Sequence, residues 1–305
     1  MEDERVPVVD VERFETHRRH LFGVAYRMLG TAADAEDAVQ EAWLRLQRAD
    51  TSRIDDLRAW LTTVVGRICL DQLRSARVRR EAYVGPWLPE PIVTGAPADG
   101  IRPVGGPDPQ TAIELDESVR MALLVVLEEL SPEQRVAFVL HDVFAVPFPE
   151  VADTLGVSQA AARQLASRAR RIVADAEPPT RAPLPRQRQV ADEFIKACAT
   201  GDLEALTKLL HPDVVARGDG GGQVSGAGRH PIRGAEKVAR LFLGLFRKFP
   251  QATIEFVGVN GDLGMLITGD GVPTDVSSFA IDDDGLIVSV FNQVNPDKLR
   301  RVRAQ

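Results

Sequence analysis

The stretch VGPWLPEPIVTGAPADGIRPVGGPDPQ, Val84 to Gln110, decides how the chain can be divided. Seven prolines and five glycines fill twelve of its 27 positions, above the ~25–30% at which a segment stops reading as core. Proline lacks a backbone donor and glycine costs chain entropy, so neither a helix nor a sheet interior runs through such a stretch. The segment reads as a long, flexible linker. A shorter break, EPPTRAPLPRQR from Glu177 to Arg188, holds four prolines and ends whatever helix precedes it. Three folded blocks result: 10–83, 111–176 and 187–300. The first two carry apolar residues at three and four spacing and read as all-α. The third begins with helices and then alternates. ATIEFVGVNGDLGMLITGDG and VSSFAIDDDGLIVSVFNQV read as strands joined at Asn-Gly, Gly-Asp and Asp-Gly turns, which makes this block α+β.

A length of 305 residues suits two or three such blocks, each able to bury a core. Apolar residues at 44% and charged residues at 27% are globular values. The longest nearly uncharged apolar run, MALLVVL, is far short of the ~20 residues of a spanning helix, so no membrane partner is expected. The start, MEDERVPVVD, is acidic and has no basic region followed by an apolar one, which points to the cytoplasm. Cys69 and Cys198 lie far apart in helical patterns and fit buried thiols in a reducing compartment. Five histidines without ligand spacing offer no metal site, and nothing in the sequence asks for a cofactor. A net charge of −7 argues against indiscriminate coating of nucleic acid, so charge has to be read segment by segment.

One segment runs against the acidic total. From Gln159 to Ala174 there are four arginines and no acid. A short amphipathic helix ends at LGV just before it, and Ser158 is a good N-cap for a second helix, which is helix-turn-helix spacing. At ~100° per residue, Ala161, Ala162, Leu165, Ala166, Ala169, Ile172 and Val173 share the inner arc. The outer arc holds Gln159, Ala160, Arg163, Gln164, Ser167, Arg168, Arg170 and Arg171. Guanidinium groups bind phosphates or guanine, glutamine pairs with adenine, and a small alanine can approach a thymine methyl. A solvated basic helix has the same composition, but it does not need the short preceding helix and tight turn. The face suits a DNA major groove.

The first block carries the opposite charge on TAADAEDAVQEAWLRLQR. Ala32, Ala35, Ala38, Val39, Ala42 and Leu46 make the inner arc, leaving Glu36, Asp37, Gln40, Glu41 and Leu44 outside. An acidic face with an apolar centre suits a basic protein partner, although a solvated face looks similar. Further on, RICLDQLRSARVRRE sets Arg67, Arg74, Arg77, Arg79 and Arg80 against Asp71 and Glu81, a second candidate for DNA contact. Trp60, in the polar stretch before it, suits stacking on an unpaired base or a place in the core.

With DAEDAVQEAWLRL, LRAWLTTVVGRICLDQLRSARVRR and LSPEQRVAFVLHDVFAVPFPEVADTLGVSQAAARQLASRARR, the chain resembles the extracytoplasmic-function sigma factors, promoter-recognition subunits of RNA polymerase. The resemblance implies two all-α sigma domains, sigma2 and a sigma4 with helix-turn-helix. It implies core RNA polymerase as partner, met at its β′ clamp helices and β flap, and promoter DNA, both double-stranded and melted. The acidic helix with Asp34, Glu36, Asp37, Gln40, Glu41 and Leu44 would dock on the clamp helices. Trp60, Arg67, Asp71, Gln72, Arg74, Ser75, Arg77, Arg79 and Arg80 would melt and read the −10 element. The arginine helix would read the −35 element. Many members have asparagine where this chain has Arg67.

The third block resembles the SnoaL-like fold, a cone of curved sheet and helices. WLPEP (Trp87, Leu88, Pro89, Glu90, Pro91), DGGG (Asp219, Gly220, Gly221, Gly222) and NPDKL (Asn295, Pro296, Asp297, Lys298, Leu299) point to the sigma J-like subgroup, in which this domain is fused as a regulator in cis. The subgroup usually has lysine where Gln223 stands. Asp219 is placed to accept backbone hydrogen bonds or to pair with an arginine of the sigma domains, and an ordinary surface turn is the alternative. The concave fold admits an unknown small ligand. His211, Asp213, His230 and Asp270 are the acid–base groups a catalytic reading would use, but they lack tight spacing and the chain is not expected to be an enzyme. Two other classes stay in view: a polymerase-independent helix-turn-helix regulator, and a cyclase or isomerase fused to a DNA-binding segment.

Overall fold

The computed structural model describes residues 11–80, 83–94, 119–176, 182–224 and 230–302, with the side chains of Arg53 and 76–80 outside that description. Two compact units form. One comprises the chain up to Val78 with Leu127–Asp175; the other takes in the described parts of Arg79–Asp108, Leu115–Val126 and Ala176–Gln305.

The first unit is helical throughout. Helices α1 (Val11–Leu29) and α2 (Ala32–Arg48) fold back on each other across Gly30 and Thr31. Phe14 and Trp43, at the start of one and near the end of the other, pack as tilted rings with centroids 4.9 Å apart. The Thr31 hydroxyl caps α2 by accepting the Asp34 N–H. Ala35, Ala38, Val39, Ala42 and Leu46 are buried as the periodicity requires. A longer helix, α3, spans Leu57–Arg80. Helix α4 (Met121–Leu127) belongs to the other unit except for Leu127; the first unit continues with α5 (Pro132–Phe138), a widened turn over Val139–Val143, α6 (Phe148–Leu155) and α7 (Gln159–Asp175). A capping box at Ser131 and Gln134 opens α5.

The second unit is built on a seven-stranded sheet in the order β1 (Val93–Thr94), β4 (Thr253–Val259), β5 (Asp262–Gly269), β6 (Val272–Ile281), β7 (Ile287–Gln293), β2 (Leu210–Asp219), β3 (Ile232–Arg233). Every pairing is antiparallel except β2 with β7. Helices α8 (Leu184–Thr200), α9 (Leu203–Lys208) and α10 (Ala235–Lys248) contribute to the core formed with one face of this sheet. There Phe194 meets Phe242 at 5.1 Å and Phe279 at 5.2 Å. The opposite face is covered by Leu88, Val93, Met121, Leu299 and Val302. A short helix, α11 (Pro296–Leu299), lies on that side.

This corrects the expectation of a flexible linker at its N-terminal end. Leu88 to Thr94 are buried, and Val93 pairs with Val259. Pro86, Pro89 and Pro91 keep the backbone extended without needing ladder donors, while Leu88, Ile92 and Val93 supply apolar surface for the sheet. Positions 95–110 lie outside the described residues.

Candidate nucleic-acid interface and linker clasp

The helix-turn-helix is built as its sequence predicts. Gly156 closes α6 at φ 67°, donating its N–H to carbonyls of the last turn, and Val157 donates to Ala152. Ser158 Oγ then accepts the Ala161 N–H at 3.2 Å to start α7. Ala162, Ala166 and Ala169 are fully buried, and Ala161, Leu165, Ile172 and Val173 are half-buried. On the outer face Ala160, Arg163, Gln164, Ser167, Arg168, Arg170 and Arg171 are exposed, with Gln159 half-buried. Arg163 leans 5.4 Å over the Phe148 ring and Arg170 pairs with Asp142 at 2.6 Å, which pre-orients two of the cations.

On α2, Asp34, Asp37, Gln40 and Leu44 are exposed, while Glu36 and Glu41 are half-buried. Leu44 stands 38% exposed. Asp34 accepts from the Thr31 hydroxyl at 2.6 Å, so it also secures the helix start. Along α3, Asp56 caps the first turn through the Ala59 N–H, and Trp60 sits half-buried beside it. Arg67, Asp71, Arg74 and Ser75 are exposed and Gln72 is half-buried. The side chains of Arg77, Arg79 and Arg80 lie outside the described residues.

The three short motifs meet at Asp219, at the end of β2. Its carboxylate is fully buried. One oxygen accepts from the Tyr83 hydroxyl at 2.5 Å and the Gly221 N–H at 3.0 Å. The other accepts from the Leu88 N–H at 2.9 Å and Lys298 Nζ at 2.8 Å. Lys298 also donates to the Leu88 carbonyl and lies 3.9 Å over the Trp87 ring. Gln293 Nε2 reaches the Pro89 carbonyl at 3.3 Å. Asn295 caps α11 and donates to the Tyr83 oxygen at 3.0 Å. Gly221, at φ 59°, is required here, because a Cβ would stand 2.4 Å from Asn295 Nδ2. Burial and the bond to Asp219 raise the Tyr83 phenol, which keeps it a donor. A buried charge demands this many partners.

The structure settles two open points about these motifs. Asp219 pairs with Lys298, not with an arginine of the sigma domains, and it is no surface turn. Gln223, in the place of the usual lysine, still reaches Asp297 by a 2.7 Å hydrogen bond. Sequence reasoning missed Tyr83 and Gln293. It also missed a second fastening, where buried Arg120 pairs with Asp262 at 2.9 Å, Gln187 donates to the same carboxylate, and Asn260 holds the Val119 carbonyl.

On the helix-facing side of the sheet, Asp275 accepts from Ser277 Oγ at 3.1 Å and Asn292 Nδ2 at 3.3 Å. Burial pushes its carboxyl up to about 7, against the opposing effect of those two bonds. His211 and Asp213 lie on β2, His230 just ahead of β3 and Asp270 in the β5–β6 turn. His211 Nδ1 accepts the Asp213 backbone N–H. Among the described residues no three His, Cys, Asp or Glu side chains group to hold a metal ion, and no helix is long and apolar enough to cross a membrane. Both cysteines are buried; burial raises the Cys69 thiol and pushes Cys198 up to about 12.

These elements match three families in order: Sigma-70 region 2 over residues 13–79, Sigma-70 region 4 over 120–173, and the SnoaL-like domain over 191–290. The chain belongs to the extracytoplasmic-function (ECF) RNA polymerase sigma factors, and directs promoter-specific transcription initiation with RNA polymerase. Among its relatives, ECF RNA polymerase sigma factor SigJ of Mycobacterium tuberculosis is 47% identical over 314 residues, covering 97% of each chain. The probable ECF sigma factor SigI of the same species is 35% identical, over 96% of this chain and 95% of its own. The crystal structure of the M. tuberculosis SigJ superposes with a TM-score of 0.76 at 44% identity, over 96% of this chain and 99% of that one. The region 4 match begins at residue 120, yet Leu115–Val126 belong to the unit that carries the SnoaL-like domain.

Proposed function

We propose that the outer face of α2, with Asp34, Glu36, Asp37, Gln40, Glu41 and Leu44, docks on the β′ clamp helices of core polymerase, and that the region 4 helices meet the β flap. In this reading α3 and Trp60 melt and read the −10 element, with Arg67, Asp71, Gln72, Arg74, Ser75, Arg77, Arg79 and Arg80 as contacts. The outer face of α7 reads the −35 element in the major groove. The protein works in the cytoplasm. The SnoaL-like domain regulates and does not catalyse.

One observation carries the regulatory part. The segment after region 2 and the residues at the start of region 4 are both fastened to the same sheet, through Asp219 and through Asp262. Whatever changes that sheet changes the anchorage of the connection between the two promoter-reading regions. Removing the residues from Asn295 onward takes away Lys298, and with it the ammonium that bonds the Leu88 carbonyl and offsets the Asp219 charge. Truncation near Ala182 also strips the apolar cover from Leu88, Val93 and Met121.

The test is promoter-specific transcription with purified core polymerase, comparing the full chain with both deletions. Transcription that core polymerase alone cannot achieve, at different levels for the three chains, is the expected result. Equal activity from all three would remove the regulatory role. No transcription from any of them would shift the weight to a polymerase-independent regulator.

A further inference from the structure

The polar cluster around Asp275 takes no part in the clasp or in either promoter-reading region. Strand pairing sets it on the helix-facing side of the sheet in two neighbouring rungs. Asp275 lies across from Ile267, and Ile267 from Ile254. In the next rung Ser277 lies across from Asn292, and Asn292 from Gly218, which adds no side chain beside it. The deeper rungs are closed, with Leu263, Phe279, Val290 and Ala216 all buried in the core. The outer ones are not. Ile254, Ile267, Asp275 and Asn292 are half-buried, as are Phe256 of β4 and Phe246 of α10. The apolar layer between sheet and helices thus opens at this end with a carboxyl group set among apolar side chains, the composition of a small-molecule site.

The direction of the hydrogen bonds says what a ligand there must carry. Ser277 Oγ and Asn292 Nδ2 both donate to Asp275, at 3.1 and 3.3 Å, so the cluster is arranged to hold a carboxylate. Among the described residues no basic side chain pairs with it. Arg188 of α8 lies over the Phe256 ring but is bonded to Asp192, and on α10 Glu236 and Arg240 hold each other. The Cys198 thiol, pushed up to about 12, stays neutral throughout the range in which Asp275 ionises. A carboxylate in apolar surroundings without a cation is costly, which is why burial holds this one up to about 7. What would balance it is a positive charge on an apolar body.

We propose that Asp275, Ser277 and Asn292 bind a small apolar amine, whose ammonium group pairs with the Asp275 carboxylate while its hydrocarbon part rests on Ile254, Ile267 and Phe256. Asn292 and Gly218 each stand one residue before a member of the clasp, Gln293 and Asp219. Alternate side chains of a strand point to opposite faces, so the site and the clasp lie back to back on β7 and β2. Occupancy therefore supplies an input to the regulation proposed above; that part of the inference rests on the regulatory reading, whereas the binding does not.

Calorimetric titration of the full chain with 2-phenylethylamine and 1-aminoadamantane tests it, with 2-phenylethanol and 1-adamantanol as uncharged counterparts. Alkylammonium groups stay protonated between pH 6 and 8. At pH 8 at least one amine should bind about tenfold or more tightly than its alcohol, the strength of a charged hydrogen bond. At pH 6 that affinity should fall about tenfold, because the carboxyl is then mostly protonated. Asp275→Asn should remove both differences. Should that variant not fold, carbon NMR of the wild-type carboxyl answers instead, and saturating amine should lower its titration midpoint by about one pH unit. No binding of either amine at millimolar concentration, equal affinity for amine and alcohol, or a midpoint that does not move overturns the site. Promoter-specific transcription with added amine separates the two readings. Output that changes for the full chain and not for Asp275→Asn supports the input, and binding with unchanged output keeps the site but overturns its regulatory role. Deletions that alter transcription in a chain that binds no amine overturn the site and leave the regulatory reading standing.

Discussion

Replacing Lys298 by methionine should destabilise the sheet unit without touching its apolar core. Methionine keeps most of the side-chain length and removes the ammonium. Asp219, fully buried, then loses its cation but keeps the Tyr83 hydroxyl and the Leu88 and Gly221 amides. Breaking a buried ion pair costs about 3–5 kcal/mol because a charge is left uncompensated. These donors, together with a longer 3.4 Å bond from Gln293 Nε2, hold the loss toward the lower end, and the lost contact with the Trp87 ring adds about 1 kcal/mol. A total of about 3–4 kcal/mol is expected. Urea unfolding of the full chain measures it, followed by Trp87 emission after Trp43→Phe and Trp60→Phe, since those two tryptophans belong to the other unit. Asp219→Asn should also destabilise, and the double variant should lose at least about 1 kcal/mol less than the sum of the singles. A loss below about 1 kcal/mol for Lys298→Met, or strict additivity, would refute the account of the clasp.

Arg168→Ala should weaken holoenzyme binding to its promoter by about 1–3 kcal/mol; a change within about 0.5 kcal/mol takes the residue off the reading face. Asp37→Arg should lower the affinity for core polymerase about tenfold with no change in melting temperature, and an unaltered affinity ends the docking assignment for α2. Asp275 has a folded-state pKa of about 7 against 3.8 for an ordinary aspartate. The folded chain therefore holds a proton that the unfolded chain releases between those values, and stability must fall as pH rises through that window, by about 2–4 kcal/mol. Comparison of wild type with Asp275→Asn between pH 5 and 8 checks this, and parallel pH profiles would count against it.

What could be read from the sequence was whatever repeats locally. The α7 faces, the Ser158 cap and the buried arc of α2 follow from a 3.6-residue period and a few capping rules, and all three are seen in the structure. The strand pairs of the third block follow from alternation and turn residues. The clasp was legible only as three motifs without a geometry. Asp219 and Lys298 are 79 positions apart, and Tyr83 and Asp219 are 136 apart; no local period encodes such partners. The proline pattern of WLPEP reports an extended backbone but not the sheet it lies on. Arg67 shows the same limit, because its charge suggested DNA while its neighbour in the fold is Asp153, 86 residues away.

The span of the clasp also sets an order in time. Leu88 leaves the ribosome 210 residues before the lysine that fastens it. At ~5–20 residues per second that interval is ~10–40 s. Region 2 is complete before it begins and region 4 within it, and the segment between them has emerged with no ammonium to meet Asp219. Each new molecule is thus a sigma factor first and a clasped one only later in its own synthesis.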